Sequence, residues 1–169
     1  MVTVDQLRRA DIGALKGHAQ DWRNAATELG TDKDDHVGCT QRISGFWTGD
    51  SANAAKDAFQ KNDVHLSESS DRAARVAVVL DEAAENIHAA KTKLEAALAH
   101  ANSENLKVRD DGYVSWDPPP VMPPTREMLD KYQADREAAA LAVSGEIKAA
   151  LEAAAKADDD AVKAMAAVC

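Results

Sequence analysis

Histidines, cysteines and clustered carboxylates are the groups from which a catalytic or metal centre would have to be built. The densest set is Asp32, Asp34, Asp35 and His36, which together offer oxygen and imidazole donors suited to a divalent cation. The spacing of a calcium loop, with its central glycine and closing glutamate, is missing there. The five histidines are scattered, with His65 and His88 reading as surface residues. Cys39 and Cys169 are too far apart for a CxxC or zinc-like pattern and say little about redox compartment. No phosphate loop, HExxH pair or GxSxG elbow is present. The sequence therefore predicts no catalytic, cofactor-binding or metal-ligating residue, and a protein that is not an enzyme.

What remains is recognition chemistry in two places. The first is the stretch Gly45-Phe46-Trp47-Thr48-Gly49-Asp50-Ser51. Gly45 and Gly49 can take backbone angles that other residues resist, and Asp50 or Ser51 can cap the following helix. Phe46 and Trp47 either plug the end of a helical corner or form an exposed contact surface. The second is Tyr113-Val114-Ser115-Trp116-Asp117, where Tyr113 and Trp116 serve either as anchors or as part of a recognition signal.

The elements that must position these residues are long helices. Hydrophobic residues make up 45% of the chain but aromatic residues only 4%, so alanine supplies much of the apolar surface and thin, close-packed seams are expected. With 169 residues, one domain with a real core is expected. The net charge of -9 argues against a nucleic-acid partner, and the mixed charges read as solvated helix faces.

Thr3, with Gln6 three residues later, forms a capping-box pattern, and Asp11 marks a second helix start. From there Ile12, Leu15, Ala19, Trp22, Ala26 and Leu29 share one stripe. In register, that stripe meets the polar residues Lys33, His36 and Thr40 before Ile43 and Trp47, so a kink, bend or phase slip onto Val37 is expected near Gly30 and the acidic cluster. The second arm carries Phe59, Asn62, Leu66, Ser69, Ala73, Val76, Leu80, Ala83, Ile87, Ala90, Leu94, Ala97 and Ala101 at alternating three- and four-residue steps. Asn62 and Ser69 are expected to face the polar part of the first arm.

The texture changes after Asn105. Asp110-Asp111-Gly112 between alternating segments predicts a small β-hairpin, and Pro118, Pro119, Pro120, Pro123 and Pro124 an extended connector. A final helical region starts after Thr125, with Leu141, Val143, Ile147, Leu151, Ala154, Val162 and Met165 on its apolar face and a possible restart at Asp158-Asp159-Asp160. The expected fold is all-α: a long antiparallel helical hairpin with a Trp-x-Gly turn, completed by a C-terminal helix into a three- or four-helix bundle, with a small β-hairpin and Pro-rich connector. The expected segments are 1–105 for the hairpin, 106–124 for the connector and 125–169 for the C-terminal region packing on the hairpin. Should that last region project away, it and the hairpin seam would be left to a partner.

The N-terminus has no apolar core or small-residue cleavage site, and no run approaches the roughly 20 apolar residues of a membrane span. In this setting Trp47-Thr48-Gly49, between two alanine-rich arms with Gly45-Phe46 before it and Ser51-Ala52-Asn53-Ala54-Ala55 after it, resembles the WXG family of type VII (ESX) secretion. That family comprises small helical-hairpin proteins of actinobacteria and firmicutes, and the resemblance covers about residues 11 to 104.

The resemblance implies a leaderless secreted protein, or a cytoplasmic one before export. It also implies interaction with the type VII machinery and with a WXG-like partner or a second copy. Phe46, Trp47 and Gly49 would carry recognition, and Tyr113 with Asp117 matches the family's Tyr-xxx-Asp/Glu export spacing. Small family members end soon after the second helix, whereas this chain continues. Its layout also resembles the N-terminal delivery domains of larger actinobacterial toxins or α/β-hydrolases, whose chemistry would then lie outside this sequence.

Overall fold

In the computed structural model, Val2 to Val168 are described, apart from the side chain of Ser44; Cys169 lies outside the described residues. Four helices and a two-stranded sheet make an all-α helical bundle with a small β-hairpin. In chain order these are α1 (Val4–Arg9), α2 (Ile12–Ser44), α3 (Asp50–Ser103), β1 (Leu106–Val108), β2 (Val114–Trp116) and α4 (Arg126–Val168).

The local start signals act as their chemistry dictates. Gln6 N–H donates to Thr3 Oγ1 at 3.3 Å, and Thr3 N–H donates to Gln6 Oε1 at 2.9 Å, closing the capping box of α1. Thr125 accepts at both its hydroxyl and its carbonyl, from the Met128 and Leu129 amides, and opens α4. The acidic run Asp158 to Asp160 does not restart that helix. All three carboxylates face solvent, Lys156 pairs with Asp160 one turn on, and α4 runs through unbroken.

Packing divides the chain into two compact units, Met1–Ile12 with Ala83–Asp160 and Gly13–Glu82 with Ala161–Cys169. In the first unit, α1 contributes Val4 and Leu7 to the core, and α3 contributes Ala90, Leu94, Ala97 and Ala101. The strands add Leu106 and Val114, and α4 adds Ala140, Val143, Ile147, Ala150 and Ala154. Both helical stripes step by three and four residues, and so many are alanines that the backbones can approach closely. The α4 face differs from the expected one: Leu141 is 75% exposed and Val162 is also exposed, while Ala140 and Ala150 are buried. Here Ala140 and Ala150 share the seam with Val143 and Ile147, while Leu141 lies off it.

The sheet is antiparallel, pairing Leu106 with Trp116 and Val108 with Val114. Its turn is tied to α1. The Asp110 carbonyl accepts Val4 N–H at 3.0 Å, and its carboxylate accepts Asp5 N–H at 2.6 Å. Gly112 has φ +82°, which favours glycine, and a Cβ there would crowd Ile147 Cγ2 at 3.3 Å. Between Asp117 and Thr125 the proline-rich connector carries Val121 and Met122 out into solvent.

In the second unit, α2 and the first part of α3 form the antiparallel hairpin. α2 is one continuous helix through the polar stretch, and of its expected stripe Ile12, Leu15, Ala19, Ala26, Leu29, Lys33, His36, Thr40 and Ile43 are at least half-buried while Trp22 is exposed. The polar positions of α3 lie one residue from those expected. Asn62 and Ser69 are exposed; Asp63 and Ser70 face α2 instead. His36 Nδ1 lies 2.6 Å from Asp63 Oδ1, and Ser70 Oγ donates to the Ala26 carbonyl at 2.8 Å. These two bonds are made in the observed phase, with Asn62 and Ser69 left to solvent.

Candidate functional site

The hairpin tip is built by the end of α2 and the start of α3. The Gly45 amide bonds back to the Arg42 carbonyl, and the Phe46 and Trp47 amides share the Ile43 carbonyl, which closes the helix end. Gly49 then takes φ +104°, and its carbonyl accepts Asn53 N–H at 3.0 Å to begin α3. Of the two tip glycines only Gly49 occupies the positive-φ region, so it alone is required by backbone geometry. Nothing lies within 4 Å of a Cβ placed there, so the constraint is conformational and not steric.

This turn presents its aromatics outward. Phe46 is 79% exposed and so plugs nothing, while Trp47 is 39% exposed. The structure thus brings Phe46, Trp47 and Gly49 together at one exposed end of the hairpin.

Tyr113 and Asp117 fall in the other unit. Tyr113 immediately precedes β2 instead of lying within it, is 58% exposed and carries the Arg109 guanidinium 5.7 Å from its ring centroid. Asp117 accepts from Lys107 Nζ at 2.7 Å, and its carbonyl accepts from Tyr132 Oη at 3.3 Å. The two residues therefore have separate partners. Trp116, not Tyr113, is the aromatic anchor that packs on the core.

The acidic cluster is not assembled into a centre. His36 turns to Asp63 and stacks edge-on against Phe59 with centroids 5.5 Å apart, leaving Asp32, Asp34 and Asp35 exposed. Among the described residues, no group of three or more histidine, cysteine, aspartate or glutamate side chains converges. Cys39 is exposed, and the Arg42 guanidinium donates to its sulfur at 3.4 Å.

One feature was not legible in the sequence. An apolar groove in the second unit joins Trp22 of α2, Val76 and Leu80 of α3 and Met165 of α4, with His18 and Arg72 at its edge. Trp22, Val76, Leu80 and Met165 each belong to a predicted stripe, but nothing in the sequence places the end of α4 beside the hairpin.

No protein-family model, curated protein or solved structure matches the chain. The class defined by its own geometry is an all-α helical bundle with a small β-hairpin, carrying an exposed aromatic tip on a helical hairpin. Among the described residues no helix is long and apolar enough to cross a membrane.

Proposed function

We propose that this chain is a non-enzymatic, secretion-associated helical module of the WXG kind, acting as a type VII (ESX) substrate or targeting module. Its hairpin tip is read by the export machinery or by a partner, either a WXG-like protein or a second copy. The observation that carries this reading is the outward display of Phe46 and Trp47 beside Gly49, between two helices that run without interruption on either side. Tyr113 and Asp117, both exposed, are the proposed second recognition element. Were the chain the N-terminal part of a longer toxin or hydrolase, the same tip would serve delivery.

The test is export from an actinobacterial host with an active type VII system. Trp47→Ala removes the indole without touching the turn, so helicity by circular dichroism stays at the wild-type level while the secreted fraction falls to background. Gly49→Ala perturbs the turn itself and gives the same loss. Secretion of Trp47→Ala at the wild-type level removes the tip from export, and loss of helicity in that variant makes the indole structural.

A further inference from the structure

We propose that the groove edged by Arg72 is a binding site for a single-chain aliphatic carboxylate. This site lies in the second unit, apart from the tip, and does not depend on the secretion reading. Its volume is about 330 Å³, at the small end of the range for ligand pockets, and its lining is almost wholly apolar. Val76 is buried, Leu80 and Met165 are half-buried, and the Trp22 ring is 45% exposed, leaving an apolar wall that one alkyl chain would cover.

The polarity of the edge is one-sided. Among the described residues lining the groove, His18 and Arg72 alone are ionisable, and neither is acidic. His18 Nδ1 already has Asp21 at 3.8 Å. Arg72 makes no ion pair among the described residues, in contrast to Arg23, which is paired with Asp81. A guanidinium beside an apolar trough suits an amphiphile whose carboxylate forms two parallel N–H···O bonds while its chain lies along Trp22 and Met165. The net charge of -9 disfavours adventitious anion binding elsewhere, so an anion that binds does so because of local geometry. The small volume favours one alkyl chain over a partner helix, which would need a longer trough.

The experiment titrates the full chain with decanoate below its micelle concentration. The ¹H–¹⁵N spectrum is followed at the Trp22 indole, which is assigned by its loss in Trp22→Phe. Decanol and decyltrimethylammonium are the comparison ligands. The expected result is saturable binding at one site, shifting the Trp22 indole and the Met165 methyl, with decanol about tenfold weaker and the ammonium weaker still. Arg72→Gln, an exposed substitution whose fold is checked by circular dichroism, brings decanoate down to the level of decanol and leaves decanol unchanged. Equal binding of decanoate and decanol to the wild type overturns the proposal, as does an Arg72→Gln variant that binds decanoate normally. Shifts spread equally over Phe46 and Trp47 mark general detergency and overturn it too. No response up to the solubility limit overturns the proposal as well.

Discussion

Replacing Ile147 by alanine, with Leu141 as its counterpart, tests the phase of α4: both lie on the expected face, and only Ile147 is buried. Ile147 is wholly buried, between Val143 and Ala150 on the α4 stripe and beneath the Gly112 turn. The substitution deletes three carbons, worth about 0.8 kcal/mol each in transfer free energy, or about 2.4 kcal/mol. A cavity term is added because the surrounding helices relax only in part, which gives about 3 kcal/mol within the usual 2–5 kcal/mol range. Leu141→Ala is the control. That side chain has as many carbons as Ile147, yet it is 75% exposed, and its removal changes stability by no more than about 0.5 kcal/mol. Urea unfolding followed at 222 nm and by tryptophan emission gives both differences, with the m-value showing whether the two units unfold together. Equal losses for the two variants, or a larger loss for Leu141→Ala, would refute the assigned phase of α4 and the core built on it.

Asp110→Ala removes the acceptor of the Asp5 amide and is expected to cost about 1 kcal/mol, with faster hydrogen exchange confined to α1; unchanged exchange at Val4 to Leu7 would show that the cap is immaterial. His36→Ala or Asp63→Ala leaves a partly buried polar partner unsatisfied and is expected to lose about 1–3 kcal/mol. Replacing both by leucine is expected to be neutral or stabilising, and a double-mutant cycle by urea unfolding in which the double variant loses the sum of the singles would refute a direct pairing.

Much of the fold is legible from residue types alone. The Thr3–Gln6 box, the Trp-x-Gly corner, the Asp-Gly hairpin and the Thr125 start all rest on short-range chemistry, and the structure contains each of them. The α3 stripe from Ala73 to Ala101 is likewise buried or half-buried at every expected position. Phase is where the sequence is ambiguous. Alanine flanks the seam on several sides, so a one-residue rotation changes little in the pattern, and the choice between Asn62 and Asp63 or Ser69 and Ser70 is made by partners on the other helix. Leu141 drew the α4 face toward itself because size dominates a periodicity reading, while close helix contact selects Ala140. The polar part of α2 stays helical because its neighbour supplies bonds that propensity cannot foresee. Of the site, the tip residues were visible as a motif. Their outward orientation was not, nor was the groove at Arg72, which needs three helices to exist.

The bond between the Asp110 turn and α1 also fixes an order of events during folding. A six-residue helix does not hold together alone in water, so α1 awaits its acceptors, and they arrive 105 positions later in the chain. Closing a flexible loop of that length would cost about 4 kcal/mol in chain entropy beyond a constant term, so α1 docks at least cost, burying Val4 and Leu7, when the intervening chain is already folded. α1 therefore settles only once the Asp110 turn is in place, and until then residues 4–9 stay open to whatever binds an extended chain.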